Sequence, residues 1–424
     1  MVNTLSLYKP LLQGLMKLAG VRPRAVEIEP GTVIHFWVPS ETTTTNKPAV
    51  VFLHGFGCDG ILTWQFQVLA LAKKYAVYVP DLLFFGDSIT DKTERSPAFQ
   101  AECMAKSLRK LRVEKCTVVG LSYGGIVGFK MAEMFPNLVD SMVITCSVMA
   151  LTESITCAGL QRIGFSSWAH YLIPETVEGV KKLLDVAFYK LPWIPDFVYR
   201  DILEDMFINH KKERVELLEA LQVMDKDFYI PHYPQAQRIH LLWGEEDVLF
   251  TMEIARNLKE RLLGGKATLH YVEKAGHVVP SERPCAYNRQ LKKILASLSG
   301  RKNIGPHPLG AVLINGGERG GGGGWLEPVG ESMLPRGGVR SDKSSLEPQD
   351  EAGQDTDRGE RNRFQFQFRL FPMLFLSFII STEAFLAENA LSWTYIGGIN
   401  VEAWIKGRQN AEKELRIRKL VFGT

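Results

Sequence analysis

A zinc site is the first thing this sequence has no residues for. Its six cysteines (Cys58, Cys103, Cys116, Cys146, Cys157 and Cys285) are scattered, with no Cys-x-x-Cys and no two histidines at ligand spacing. That pattern excludes a structural metal site and predicts free thiols in a reducing, cytoplasmic setting. Charge of one sign is missing too. Lys and Arg number 50 against 47 Asp and Glu, a formal net charge of +3. Such a balance argues against nucleic acid or an anionic surface as partner. A signal peptide is not convincing, because Lys9, Gln13 and Lys17 interrupt any apolar segment near the start. The mostly apolar run Phe371 to Ile380 contains Pro372 and has roughly half the length that a membrane-spanning helix needs. No nucleotide-binding glycine pattern stands between a strand and a helix, and the run Gly320 to Gly324 is low complexity. No cofactor is implied.

What is present is ordinary globular material, 46% apolar and 23% charged. At 424 residues the chain exceeds one average domain, so a large α/β domain with an insertion or extension is expected. Leu5, Tyr8, Leu12, Leu15 and Ala19 recur at helical spacing. They predict an amphipathic helix within residues 1–25, packed on the domain; a membrane-surface helix is the rival reading and leaves membrane contact open.

Strands and helices then alternate. Two β-type runs flank Pro30-Gly31 within Val26 to Val38, and the Thr-rich stretch Glu41 to Asn46 reads as a loop. Ala49 to Leu53 is a short, fully apolar strand, as in the middle of a covered parallel sheet. Helix is predicted over Trp64 to Lys73 and Ser96 to Leu111, and strand over Tyr75 to Val79 and Leu138 to Thr145. Leu82 to Ser88 leaves its strand as a loop, with Asp81 and Asp87 as braces. Between Cys146 and Gln237 the strand rhythm stops. Helices over Thr176 to Phe188 and Lys211 to Met224, with many aromatics such as Trp168, Tyr171 and Phe228, suggest an inserted helical cap, residues 146–237. Most of those aromatics should be core, and some should line an apolar pocket. Residues 26–145 and 238–299 form the α/β core. The core resumes at Ile239, continues through a helix over Met252 to Leu263 and a strand over Ala267 to Val272, and ends in a helix reaching Leu298, with Ser281 as its N-cap. Strands spaced by helices in this way form parallel βαβ units in a doubly wound sheet.

Residues 300–424 differ. Glu331 to Arg363 is charged, carries Gly and Pro, and is poor in large apolar residues. This composition predicts a disordered tail, with one short apolar segment and a charged helix over Val401 to Val421. It carries no recognisable chemistry, so a chain ending near Arg301 is expected to keep fold and activity.

The chemistry concentrates in Gly120-Leu121-Ser122-Tyr123-Gly124-Gly125. A buried strand from Cys116 runs into Gly-x-Ser-x-Gly and then a helix, Ile126 to Phe135: a turn so tight that the serine is strained and its Oγ stands clear. A side chain at Gly120 or Gly124 would collide across it. Two more polar residues fall at ends of separate strands, Asp247 after Trp243-Gly244-Glu245-Glu246 and His277 after Ala275-Gly276. Ligand sites in open α/β sheets lie at those ends. A serine hydroxyl needs a base, an imidazole titrates in the right range, and a carboxylate fixes its tautomer. Glu245 and Glu246 rival Asp247 for the last role. The glycine-rich turn His54-Gly55-Phe56-Gly57 ends the Ala49 strand, where main-chain amides can point at a ligand. The Phe56 and Tyr123 amides are the candidate oxyanion donors. His54 is read as a buttress of its own loop, and Cys58 as a packing thiol.

As an ordered set, these pieces resemble the α/β-hydrolase family over about Val26 to Leu298, joined by Glu282 and Pro284 after Gly276-His277. The N-terminal part also looks like plant members described only as hydrolase-like. The resemblance implies a mostly parallel sheet with an inserted helical cap, Ser122 as nucleophile, His277 as general base and acid, and Asp247 as the orienting carboxylate. Members that open epoxides or remove halides place aspartate at the elbow, so Ser122 disfavours those reactions. Carbon–carbon bond hydrolases of ring-cleavage dienoates typically place asparagine before the serine and tryptophan after the histidine, where this chain has Leu121 and Val278. A small-molecule carboxylic ester with an apolar acyl group is therefore the leading expectation. Dienoate cleavage and a ligand-sensing receptor with little turnover are the alternatives.

Overall fold

The computed structural model describes residues 3–299 apart from 41–46, 192, 235–236 and 265. The expected loop at Glu41 to Asn46 and the 300–424 tail lie outside the described residues. The chain opens with α1 (Thr4–Leu18), capped by Asn3, whose side-chain oxygen accepts the Leu5 and Ser6 amides. A hairpin of β1 (Val21–Glu29) and β2 (Thr32–Pro39) turns at Gly31, φ 80°. There follow β3 (Ala49–Leu53), α2 (Gly60–Leu71), β4 (Ala76–Pro80), β5 (Ile89–Thr90), α3 (Pro97–Lys110), β6 (Cys116–Leu121), α4 (Tyr123–Met134) and β7 (Val139–Thr145). The next stretch holds β8 (Leu151–Thr152), α5 (Glu153–Ile163), α6 (Trp168–Leu172), α7 (Val177–Ala187), α8 (Asp196–Met206), α9 (Lys211–Ala220) and β9 (Gln222–Val223). The chain then returns with β10 (Arg238–Gly244), α10 (Met252–Asn257), β11 (Ala267–Val272), α11 (Val279–Glu282) and α12 (Pro284–Ser299).

The main sheet runs β1-β2-β4-β3-β6-β7-β10-β11, with β5 beside β2. Every pairing from β4 to β11 is parallel, while β2 is antiparallel to β1, β4 and β5. β3, expected at the centre, and its neighbours β4 and β6 are buried almost throughout, because helices cover both faces of a parallel sheet. Trp64 of α2 and Trp243 of β10 are among the largest fully buried side chains. Since the parallel strands share one direction, the residues after Leu53, Leu121, Thr145, Gly244 and Val272 all emerge at one edge.

Four local expectations are corrected. The sheet starts at Val21, not Val26, and β1 tolerates Pro23 because it is an edge strand. Ser281 is not an N-cap but lies inside α11; the long helix starts afresh at Pro284, whose fixed φ and missing N–H suit a first helical position. The helix expected over Met252 to Leu263 passes from α into a π turn at Leu258–Leu262. Between β7 and β10 the chain is helical as expected, but Leu151–Thr152 and Gln222–Val223 pair as a small parallel ladder. No helix among the described residues is long and apolar enough to cross a membrane.

Candidate active site

Ser122 joins β6 to α4 with φ 52° and ψ −118°, a positive φ that a serine adopts only where its surroundings enforce it. Glycine is what lets the turn close. A Cβ on Gly120 would lie 2.6 Å from the Gly124 carbonyl oxygen, and one on Gly124 would lie 2.3 Å from that of Leu53. The Ser122 amide donates to Thr145 at 3.0 Å, and its carbonyl accepts the Gly125 amide at 2.8 Å. Ser147, beyond the end of β7, also donates its hydroxyl to the Ser122 carbonyl at 2.6 Å. The turn is held from the neighbouring strand as well as from within.

Asp247 and His277 meet at the same sheet edge. Asp247 Oδ2 lies 2.9 Å from His277 Nδ1, and Asp247 Oδ1 accepts the Leu249 and Phe250 amides at 2.8 and 3.1 Å. Its carboxylate is fully buried. Glu245 and Glu246 are exposed, so the structure brings Asp247, and neither rival, to the histidine. Buried carboxylates need such donors, and three surround this one.

Ser122 and His277 line one cavity of about 410 Å³ including its open mouth. Phe56 and Tyr123 also line it, and neither main-chain amide donates to another group among the described residues. The remaining wall is apolar: Leu151, Trp168, Tyr171, Leu218 and Leu221 come from the stretch between β7 and β10, and Phe250 from the Asp247 loop. The polar ends of two of these aromatics point elsewhere, Trp168 Nε1 donating to Thr156 Oγ1 and the Tyr171 hydroxyl to the Leu183 carbonyl.

His54 and Asp81 take the roles expected of them. His54 bridges its loop, with Nδ1 at 2.8 Å from the Gly55 carbonyl and Nε2 accepting the Leu82 amide at 2.9 Å; burial pushes it below the usual histidine range. Asp81 braces the loop after β4, accepting the Gly60 amide at 2.7 Å and pairing with His35 at 2.9 Å. All six cysteines are free, and burial pushes the Cys58 thiol up to about 12.

Three neighbours of the site were not legible in the sequence. Ser147 carries no motif, and Glu282 entered only as a family signature. Cys146, at φ 45°, places its thiol with Asp247 and His277 so that their ligand-type atoms lie within 4.8 Å of one another. Burial, then the Asp247 charge, raise that thiol well above the ordinary range, so it stays protonated. With both Asp247 oxygens already taken by donors, the cluster is suited to hydrogen bonding rather than to a metal.

Over residues 48–284 the chain matches the alpha/beta hydrolase fold family, and it belongs to that family. Among relatives, it is 38% identical to an uncharacterised protein of Mycobacterium tuberculosis over 99 residues, 23% of this chain and 29% of that protein. The match thus spans less than a third of that relative's length. Solved structures that share the fold include two that this chain matches over most of their length. One is a bacterial membrane phospholipase A, at 24% identity and a TM-score of 0.57, over 70% of this chain and 91% of that one. The other is a meta-cleavage product hydrolase of Pseudomonas fluorescens, at 21% identity and a TM-score of 0.53, over 65% of this chain and 98% of that one.

Proposed function

We propose that this protein is a serine hydrolase that cleaves a small-molecule carboxylic ester with an apolar acyl group. The observation that carries the reading is the buried Asp247–His277 hydrogen bond beside a strained serine, with imidazole and serine facing one apolar cavity. Family membership supports hydrolysis in general. The wall chemistry supports the ester: among the described residues no lysine or arginine lines the cavity to hold a charged dienoate.

In this reading the Asp247 carboxylate accepts a hydrogen bond from His277 Nδ1–H, which fixes the tautomer and leaves Nε2 unprotonated to act as base. Nε2 takes the Ser122 hydroxyl proton as Oγ attacks the ester carbonyl. The developing oxyanion is met by the Phe56 and Tyr123 amides and by the N-terminus of α4. The imidazolium then protonates the departing alkoxide, leaving an acyl group on Ser122. Water, deprotonated by the same imidazole, releases the acid and restores the serine. Judging by other serine hydrolases, one oxyanion donor contributes about a hundred- to a thousandfold in rate.

A fluorophosphonate probe should label the protein, and Ser122→Ala should abolish labelling. Labelling that survives the substitution defeats the assignment. A panel of short and long p-nitrophenyl esters set against dienoates separates the ester reading from carbon–carbon cleavage, and silence on every ester sinks the former.

A further inference from the structure

The loop that carries His277 is held by the core on one side and by the inserted helices on the other. Glu282 closes α11, and its carboxylate accepts three main-chain amides: Gly276 at 2.7 Å, Lys190 at 3.0 Å and Tyr189 at 3.2 Å. Ala187, the last residue of α7, completes the join. Its carbonyl accepts the His277 amide at 2.8 Å and the Val278 amide at 3.3 Å. The main chain at 187–190 therefore lies directly against that at 276–278. A Cβ on Gly276 would sit 2.6 Å from the Tyr189 nitrogen and 2.8 Å from the Ala187 oxygen, so only glycine allows the approach. None of residues 187–190 lines the cavity. Their contribution to the site is made through the backbone.

Charge-assisted bonds from a carboxylate to main-chain amides are roughly twice as strong as neutral ones. The partly buried Glu282, at the end of a four-residue helix, gathers three of them, one from the turn just before its helix and two from residues 189–190. What those segments share is the residue that follows Gly276.

We propose that Glu282 is a positioning residue for His277, fixing the imidazole relative to Ser122 by tying the Gly276 amide to the main chain at residues 189–190. The inference rests on the reading of His277 as the base. It makes the C-terminal end of α7 part of the catalytic apparatus: whatever displaces 187–190 displaces the base.

The test compares Glu282→Ala, Glu282→Gln and Lys190→Pro in the full chain, with kcat and KM on p-nitrophenyl butyrate and thermal midpoints measured together. In Glu282→Ala, kcat should fall between about ten- and a hundredfold, the cost of a small misplacement, with KM within about twofold. Glu282→Gln keeps an oxygen for the Gly276 and Tyr189 amides but turns an NH2 group, which cannot accept, toward the Lys190 amide, so it should recover only part of the lost kcat. Lys190→Pro removes one donor to Glu282. It should lower kcat alone yet add nothing in the Glu282→Ala background, because both act through one join. Wild-type kcat in a folded Glu282→Ala, or additive losses in the double variant, would overturn the proposal. Should Glu282→Ala fail to fold, the Gln and Pro variants still decide it. A wild-type chain inactive on every ester would instead defeat the hydrolase reading itself, so the two failures are distinct.

Discussion

Replacing Asp247 by asparagine should separate orientation from stability. Oδ1 accepts two main-chain amides, from Leu249 and Phe250, and only an oxygen can serve them. The asparagine oxygen is thus held on that side, and its NH2 group is turned to where Oδ2 now faces His277 Nδ1 at 2.9 Å. That amide donates to Nδ1 and places the ring proton on Nε2, the nitrogen that must accept from Ser122. The rate should fall by on the order of ten-thousandfold, as it does for this exchange in a serine protease. Stability should change little, because both loop amides keep their acceptor. Asp247→Ala loses the orienting group as well and adds a stability cost: each orphaned amide costs about 1–3 kcal/mol. The melting point should drop by several degrees, at about 2 °C per kcal/mol for a domain of this size. Steady-state ester hydrolysis and calorimetry on both variants provide the test. An asparagine variant that keeps more than about a tenth of wild-type kcat would refute the tautomer argument.

Further outcomes follow from the packing. Gly124→Ala drives a methyl group into the Leu53 and His54 carbonyls, at 2.3 and 2.5 Å, and should cost about 1–3 kcal/mol in urea denaturation; a neutral result would mean that the elbow is looser than described. Iodoacetamide at pH 8 in native protein should modify the exposed Cys157 and Cys285. It should spare Cys103 and Cys116, whose thiols burial pushes up to about 12, and Cys146; peptide mapping reads this directly. Burial, then the neighbouring His270, lowers His240 from 6.5 to about 4. The unfolded chain therefore takes up this proton first, and stability present above pH 6.5 is lost as pH falls toward 4. Urea midpoints between pH 7 and pH 5 should decline less steeply in His240→Gln, and equal slopes would discount that residue.

The parts legible in the sequence are those where one residue type is required by local geometry. Gly120 and Gly124 announce the elbow because the turn admits nothing larger, and the apolar run Ala49 to Leu53 announces a covered strand because both of its faces are buried. What stayed hidden depends on distant partners. Glu245, Glu246 and Asp247 are alike by composition, and only the path after β10 decides which of them is buried against His277. Ser147 binds the Ser122 carbonyl, and Glu282 the Tyr189 amide, at sequence separations that no short motif encodes. Cys146 is one scattered cysteine among six until β7 and β10 are set side by side. Edges misled in another way: Arg22-Pro23-Arg24 looks unlike a strand because an outer strand needs neither apolar faces nor every amide.

The central claim is that Ser122 becomes acylated during turnover. Rapid mixing with a p-nitrophenyl ester should release a burst of p-nitrophenol close to one equivalent per chain before the steady state. Protein quenched within the burst should gain the mass of one acyl group, mapped to the peptide that contains Ser122. Hydrolysis without a burst or an adduct, or an adduct on any other residue, contradicts the account.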